Sequence, residues 1–274
     1  MGTKRKLTEE QEKELCKKYN TNKVSITEIS NMFGVCKRSV FNVLSRNGVR
    51  PTHSYEYNKS VFSNELTEEK AYWVGFLMAD GCVVKDRLGR KTVSVQLQSQ
   101  DKHHLEKLRA FICPKKPIYE KIYYHKKFKK TFSSCTLSFS GDDIRNDLIG
   151  YGVVCRKSTS EFALKDINNN RHFWRGVIDG DGSVCEYKEK SRKTHTQEIS
   201  LYGSKQLLEQ FISFINLNIF ETKRIPNKKN SGNCYQVHFT SKKARILVDY
   251  FYSNCNIYLD RKYIIAQKMI NGDY

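Results

Sequence analysis

Residues 72–84 of the chain read YWVGFLMADGCVV, and residues 173–184 read FWRGVIDGDGSV. Both fit the pattern aromatic-Trp-x-Gly-x-x-x-small-Asp-Gly, and the two aspartates, Asp80 and Asp181, lie 101 residues apart. Each stretch is rich in apolar residues, which predicts a buried helix. Because a repeated pattern indicates a repeated structural unit, the 274-residue chain is predicted to contain two copies of one fold.

Small residues recur four positions apart in both stretches. Gly75 and Ala79 share one helix face in the first copy, as Gly176 and Gly180 do in the second. Glycine inside a helix costs about 1 kcal/mol relative to alanine, so its use in both copies indicates a packing requirement. Small residues at this spacing let two helix backbones approach closely. The two helices are therefore predicted to pack against each other.

An Asp-Gly pair closes each helix. Gly81 and Gly182 are predicted to end the helices as C′ residues, which places Asp80 and Asp181 at helix C-termini. A carboxylate is unfavourable there, because the helix dipole already concentrates negative charge at that end. One Asp-Gly pair alone would indicate a hairpin turn. Two pairs after the same upstream pattern instead favour a site where both carboxylates meet a cation.

The paired helix ends predict a metal site built from oxygen atoms. Asp80 and Asp181 would supply carboxylates, and the carbonyls of Ala79 and Gly180 would lie beside them. Oxygen ligands of this kind suit Mg²⁺ or Ca²⁺ and not zinc. Mg²⁺ is the expected cofactor; Mn²⁺ is expected to replace it, and Ca²⁺ to bind without supporting cleavage. Facing a phosphate backbone, such a site suits hydrolysis of phosphodiester bonds.

Both stretches resemble the LAGLIDADG motif of homing endonucleases. Residues 174–182 are the closer match, and the first copy departs at Met78, where the family has an earlier aspartate that is not catalytic. The resemblance covers residues 65–274 and matches Asp80 and Asp181 to the family's metal-binding aspartates.

The resemblance implies a site-specific endonuclease that hydrolyses both strands of DNA across the minor groove and leaves short 3′ overhangs. Two unequal copies in one chain imply a monomer that reads a long asymmetric site, and the family's role implies intron mobility. The implied fold is α+β, with two pseudo-symmetric αββαββα repeats forming a DNA-binding saddle beside a small all-α N-terminal domain.

The segments after each motif fit this order of elements, because alternating residues predict strands and a 3.6-residue period predicts helices. The first copy is predicted to have strands at 83–84, 92–98, 118–125 and 132–140 and helices at 101–112 and 142–151. The second copy is predicted to have strands at 184–187, 196–201, 219–225 and 234–239 and helices at 205–215, 244–252 and 258–269. The expected domains are 1–50, a linker 51–64, the first repeat 65–166 and the second repeat 167–274.

Residues 7–50 are predicted to form three short helices of a helix-turn-helix domain. Thr8 and Gln11 have the spacing of a capping box. Gly34 breaks the second helix, as a left-handed turn residue does. The run 29–35 resembles the helix-turn-helix domains of resolvases and bacterial regulators, in which the basic helix after the turn enters a major groove. A small helical bundle used for protein contacts is the alternative.

Three further residues match catalytic positions of the family. Lys157 in the first copy and Lys262 in the second resemble the lysine that lies beside the scissile phosphate. We hypothesise that they stabilise developing charge or poise the attacking water. Gln98 resembles a polar residue that positions solvent. Surface side chains without a catalytic role are the alternative interpretation.

Polar strands of the two sheets would fit a major groove, where Arg and Gln side chains can read base edges. The expected DNA contacts come from the third helix and from strands and turns of both repeats. They are Lys37, Arg38, Ser39, Asn42, Arg46, Arg87, Arg90, Lys91, Gln96, Lys126, Lys129, Arg192, Lys193, Gln197, Lys228 and Lys229.

Composition narrows the class of partner. The chain carries 48 Lys+Arg against 29 Asp+Glu, a net charge of +19, which favours a polyanion such as DNA or RNA. No apolar run approaches the ~18 residues of a membrane span, and no signal-peptide pattern follows the N-terminus. Nine scattered cysteines predict free thiols in a reducing intracellular compartment.

Two other functions fit the same sequence. One is an intron maturase that binds structured RNA, and the other is a transcription regulator that binds DNA without cutting it. Retention of both Asp80 and Asp181 favours cleavage over regulation and leaves the maturase open. No obligate protein partner is expected for any of the three.

Overall fold

The computed structural model describes residues 7–22, 24, 26–49, 57–63, 65–85, 91–154, 161–188, 195–229 and 234–272. The chain divides into two compact units, residues 1–55 and residues 56–274. No helix within the described ranges is long and apolar enough to cross a membrane.

The smaller unit consists of three helices, α1 (Glu9–Asn22), α2 (Ile26–Phe33) and α3 (Lys37–Arg46). The capping box of α1 is confirmed, because the Thr8 amide donates to Gln11 Oε1 at 3.0 Å and the Gln11 amide donates to Thr8 Oγ1 at 3.3 Å. Gly34, in the turn between α2 and α3, has the predicted left-handed conformation, with φ 64°. Apolar residues of all three helices form one core, including Leu15, Ile29 and Leu44.

The larger unit contains the αββαββα order twice, as predicted. The first repeat is α4 (Glu68–Ala79), β1 (Gly81–Lys85), β2 (Lys91–Gln98), α5 (Lys102–Ile112), β3 (Tyr119–His125), β4 (Lys130–Phe139) and α6 (Asp142–Gly150). The second is α7 (Arg171–Asp181), β5 (Gly182–Lys188), β6 (His195–Gly203), α8 (Lys205–Asn218), β7 (Asn227–Lys228), β8 (Tyr235–Thr240) and α9 (Ser241–Tyr252), followed by α10 (Asp260–Asn271).

Both sheets are antiparallel and have the same topology, β1-β2-β4-β3 and β5-β6-β8-β7. Their registers also correspond, because Gly81 lies opposite Val95 in one sheet and Gly182 lies opposite Leu201 in the other. Alternate residues face opposite sides of a strand. Val93 and Val95 are therefore buried, as are their counterparts in the second sheet, and the intervening residues form a polar face.

The strand predicted at 219–225 was wrong. This segment is irregular, and the Thr222 amide donates to Asn216 Oδ1 at 2.6 Å instead of to a neighbouring strand. Ile225 is 70% exposed, and Pro226, which has no amide proton for a strand ladder, comes next. Pairing begins only after this proline, so β7 has two residues.

Candidate functional site

Helices α4 and α7 pack backbone against backbone, as predicted from the spacing of their small residues. An ideal Cβ atom built on Gly75 would lie 2.0 Å from the carbonyl oxygen of Phe173, and one built on Gly176 would lie 2.1 Å from that of Tyr72. Atoms cannot approach this closely, so only glycine fits at either position. Near the helix ends, a Cβ on Gly180 would lie 2.3 Å from the Ala79 Cβ. The helices therefore run in the same direction and end side by side.

Asp80 and Asp181 occupy these two neighbouring ends. Asp80 is the C-cap of α4, Asp181 is the last residue of α7, and both are half-buried. A Cβ on Gly180 would also lie only 3.5 Å from the Asp80 amide nitrogen. The geometry thus brings together the two elements that carry the predicted metal-binding carboxylates.

The glycines that follow the aspartates end the helices for a reason that differs from the prediction. Gly182 is extended, with φ −94° and ψ 176°, and Gly81 is likewise outside the left-handed region. Each begins a strand directly, and the chain turns back against the last helical turn. A Cβ on Gly81 would lie 2.5 Å from the Leu77 carbonyl oxygen, and one on Gly182 would lie 2.5 Å from that of Ile178. Close approach, not a positive φ, requires these glycines.

Lys262 lies beneath the end of α7. Only 3% exposed, it directs Nζ to the carbonyl oxygens of Ile178, Asp179 and Gly182, each at 2.7 Å. An ammonium group has three protons, so these bonds use its full donor capacity. Burial lowers the pKa of Lys262 to about 8, although the negative charges of nearby carboxylates, including Asp181, raise it. Sequence reasoning found this residue but not its depth or its bonds to the helix end.

The available ligands suit a hard cation. Within the described residues, no group of three or more His, Cys, Asp and Glu side chains could hold a metal ion. A cation between Asp80 and Asp181 would therefore need further oxygen ligands, from carbonyls such as those of Ala79 and Gly180 and from a phosphate. Mg²⁺ commonly combines one or two carboxylates with substrate phosphates in this way.

The eight cysteines in the described ranges are free thiols, and the ninth lies outside them.

A buried carboxylate to which no sequence pattern assigned a role lies two residues before Asp181. Asp179 is fully buried and accepts hydrogen bonds from Tyr72 Oη at 2.7 Å, Tyr252 Oη at 2.6 Å and the Leu259 amide at 2.8 Å. Burial raises the pKa of the Asp179 carboxyl, against the lowering effects of the Lys262 charge and the three hydrogen bonds. The sequence signal for this network was a carboxylate directly after the apolar pair Val177 and Ile178 of α7.

Arg175 forms a second buried polar contact between the repeats. Its guanidinium is fully buried, donates to Glu68 Oε1 at 2.7 Å and to the Ile257 carbonyl at 2.9 Å, and lies over the Tyr72 ring. Glu68 also accepts from the Asn256 amide at 2.8 Å. Burial raises the pKa of Glu68, but the Asn256 hydrogen bonds and the Arg175 charge together lower it by more, so the net shift is downward.

The polar face of the first sheet carries two of the predicted residues. Gln96 and Gln98 are exposed on β2, opposite Thr136 and Ser134 of β4. The register places Gln96 one residue beyond the pair of Gly81 and Val95, at the level of the α4 terminus. Gln98 lies two residues further along the same face. A polar face was predicted for the second sheet too, but its residues Tyr202, Gln236 and His238 were not named, and Gln236 is only 8% exposed.

The expectation that Gln197 contacts DNA is not compatible with its position. Gln197 is 3% exposed, shares a strand face with Ile199 and Leu201, and accepts a hydrogen bond from Arg245 of α9 at 3.3 Å. It therefore lies on the side of β6 that packs on helices. The alternation of β6 contains this information, since residues two apart share a face.

The other expected DNA contacts fall into three groups. Lys37, Arg38 and Asn42 are exposed on α3, whereas Arg46 is tied to Glu12 of α1, and Ser39 is half-buried beside the Cys36 thiol. Four lysines are exposed at the strand turns and edges of the sheets: Lys126, Lys129, Lys228 and Lys229. Lys91 lies in β2, and the remaining expected contacts, Arg87, Arg90, Arg192 and Lys193, are outside the described ranges. The predicted catalytic residue Lys157 is also outside them.

Comparison with known proteins gives one kind of match. Neither the sequence models of known families nor the curated proteins match the chain. Among solved structures, the meganuclease I-SmaMI bound to uncleavable DNA has a TM-score of 0.50, with 14% identity over 75% of this chain and 90% of its own. The homing endonuclease I-WcaI bound to its DNA recognition sequence has a TM-score of 0.52, with 11% identity over 75% and 91%. With its paired motif helices, the chain has the fold of the LAGLIDADG homing endonucleases.

Proposed function

We propose that this protein is a site-specific DNA endonuclease that uses a divalent cation to hydrolyse both strands of a long asymmetric site across the minor groove. The observation that carries the proposal is the pair of half-buried aspartates, Asp80 and Asp181, at the adjacent C-termini of α4 and α7. The solved nucleases that share the fold are bound to DNA, which supports duplex DNA as the partner.

The aspartates are the proposed ligands of the cation. Two carboxylates beside the negative ends of two helix dipoles repel each other, and a cation would relieve this repulsion. When bound, Mg²⁺ would supply positive charge to the scissile phosphate and favour attack by water. Mn²⁺ would replace it in this role, and Ca²⁺ would support binding alone.

Lys262, Lys157 and Gln98 are proposed to assist at the phosphate. Because Lys262 Nζ donates to three carbonyls of the α7 end, its contribution would be its charge and its hold on the helix, not a direct hydrogen bond. Gln98 would orient solvent from the polar face of the first sheet. Lys157 would serve the first copy as Lys262 serves the second.

The polar faces of both sheets are the proposed surfaces for reading the major groove. Exposed amides such as Gln96 match the donor and acceptor pattern of base edges, and the exposed lysines match phosphates. Because both repeats lie in one chain, a monomer would suffice for the two cuts. Intron mobility would follow from cutting at one long site.

The smaller unit is proposed to extend this footprint by placing α3 in a further major groove. Lys37→Ala with Arg38→Ala should lower DNA affinity about tenfold and reduce its salt dependence, because two exposed cations are lost. The control is Lys13→Ala, which removes an exposed cation from α1. DNA affinity is measured by fluorescence anisotropy. If the wild type, the double variant and the control bind DNA equally well, the smaller unit has another role.

The function is tested by selecting cleaved sites from a randomised duplex library with purified protein and Mg²⁺. The expected result is one long asymmetric consensus, cut on both strands with short 3′ overhangs. Parallel reactions with Mn²⁺ should also cut, and those with Ca²⁺ should bind without cutting. Tight DNA binding without cleavage in any metal would instead indicate a regulator, and preference for structured intron RNA would indicate a maturase.

A further inference from the structure

We propose that Asp179 is a positioning residue that holds Lys262 against the Asp181 end of α7 and ties this end to the first repeat. This inference rests on the proposed endonuclease function. Three hydrogen bonds carry it: those that Asp179 accepts from Tyr72, Tyr252 and the Leu259 amide. All lie within 2.8 Å, and the carboxylate is fully buried, so solvent does not compete for it.

The Asp179 side chain fixes the start of α10. Leu259 is the N-cap of this helix, and Lys262 lies three residues further on. Lys262 then returns to the carbonyls of Ile178, Asp179 and Gly182. The side chain and the backbone of Asp179 thus hold the same short segment from two directions. Without the carboxylate, the segment would lose this anchor, and the three lysine bonds would no longer be held in position.

The same carboxylate connects the two repeats. Tyr72 lies on α4, eight residues before Asp80, and its hydroxyl also contacts His104 Nε2 of α5 at 3.1 Å. Tyr252 belongs to α9 of the second repeat. Asp179 is therefore a junction of two motif helices, α9 and the N-terminus of α10. Displacement at this junction would be transmitted to Asp181, two residues away on the same helix.

The corresponding position of the first repeat carries no carboxylate. Met78 occupies the corresponding position of α4 and is fully buried. Loss of Asp179 should therefore disturb the second repeat's helix end more than the first's. The expected consequence is unequal cutting of the two DNA strands, which a general loss of stability would not produce.

The test uses full-length Asp179→Asn, Tyr72→Phe and Tyr252→Phe on the selected site, with Met78→Leu as the matched control in the first repeat. Each strand carries a different fluorophore, so the two cleavage rates are measured separately. DNA affinity is measured in Ca²⁺ and thermal unfolding by circular dichroism. The single Phe variants each remove one hydroxyl and retain the ring, so they test the proposal if the Asn variant fails to fold.

Asp179→Asn should slow cleavage of one strand about 100-fold, because small displacements of positioned groups have effects of this size. Each Phe variant should slow the same strand about tenfold, since one hydrogen bond to a buried charge is lost. In these variants, the cleavage rate of the other strand and the DNA affinity should stay within about twofold of wild type. Both cleavage rates of Met78→Leu should also stay within about twofold, because this change removes no hydrogen bond to Asp179. Equal slowing of both strands in the variants that remain folded would overturn the proposal.

A second measurement separates this proposal from the nuclease function. Amine labelling with acetic anhydride, quantified by mass spectrometry, reports whether Lys262 remains buried. Lys262 should be protected in wild type and in Met78→Leu and should label at least several-fold faster in Asp179→Asn. If Lys262 labels faster in Asp179→Asn but the wild-type protein cuts no DNA, only the endonuclease function is refuted. Unchanged protection in a variant that stays folded would refute the positioning role, whatever the cleavage result.

Discussion

The motif helices α4 and α7 have the same packing residues but different charges. Gly75 and Gly176 make equivalent contacts, each under the carbonyl of the opposite helix. At other matched positions the helices diverge, with Val74 against Arg175 and Met78 against Asp179. Backbone proximity is thus the shared requirement of the pair, whereas the buried charges of Arg175 and Asp179 have no charged counterpart at the matched positions of α4. The comparison shows that a two-fold architecture can place unequal supports beneath two equivalent carboxylates.

Other differences between the two repeats also affect the surroundings of α4 and α7. Tyr72 of α4, which donates to Asp179, corresponds to the apolar Phe173 in α7. His104 of α5 adds a polar group from the first repeat, since its Nε2 contacts the Tyr72 hydroxyl at 3.1 Å. Polar groups of both repeats therefore converge on the α7 side. Each of the following predictions tests either what the two helices share or what separates them.

The largest expected effect concerns the shared carboxylates. Asp80→Asn and Asp181→Asn should each slow double-strand cleavage roughly 10³-fold, since a metal ion contributes several kcal/mol to such reactions. DNA affinity in Ca²⁺ should change little for either protein. Gel assays of a plasmid carrying the selected site measure both strands. A variant that still linearises the plasmid at the wild-type rate would remove its aspartate from the mechanism.

The shared glycines should have the next largest effect. Gly75→Ala and Gly176→Ala should each cost about 3 kcal/mol, because each added methyl meets a backbone carbonyl that cannot move aside. Gly150→Ala in α6 is the control, since its Cβ would meet only the flexible Lys165 amine, at 2.7 Å, and alanine favours helix. Urea unfolding measures all three. Equal stabilities would mean that α4 and α7 are not in backbone contact.

The helix pair was predictable because small residues four apart in both motif helices indicate close backbone packing. The sequence also predicted the order of strands and helices, since both repeats alternate clearly. It failed at 219–225, where apolar residues suggested a strand that Pro226 and a side-chain acceptor prevent. Burial depth was harder still. The Lys262 bonds and the Asp179 junction depend on residues more than 70 positions apart, which no local pattern reports.

The unshared ion pair provides a test of intermediate size. Arg175→Met should cost about 3 kcal/mol by leaving Glu68 without its buried partner. The double variant with Glu68→Gln should cost less than the sum of the two single changes. Val74→Met at the corresponding position of α4 is the control for side-chain volume. Additive losses in a double-mutant cycle would show that the pair does not hold the repeats together.

The smallest effect concerns the pH dependence of His104. Burial lowers the pKa of His104 to about 3, below its usual 6.5, so the folded protein keeps it neutral. The stability from this neutral histidine is complete above pH 6.5 and is lost as the pH falls below it. Between pH 7 and pH 5 the loss should be about 2 kcal/mol. His104→Gln should show a correspondingly flatter acid limb in urea unfolding, and an unchanged limb would contradict the assignment.

One end of the paired helices is proposed to hold the cation at which DNA is cut. The most direct measurement is anomalous diffraction from crystals of the protein with its selected DNA site and Mn²⁺. We predict manganese peaks in contact with the carboxylates of Asp80 and Asp181, beside the scissile phosphates. Manganese bound elsewhere, with both carboxylates distant from the metal and from the DNA, would contradict the account.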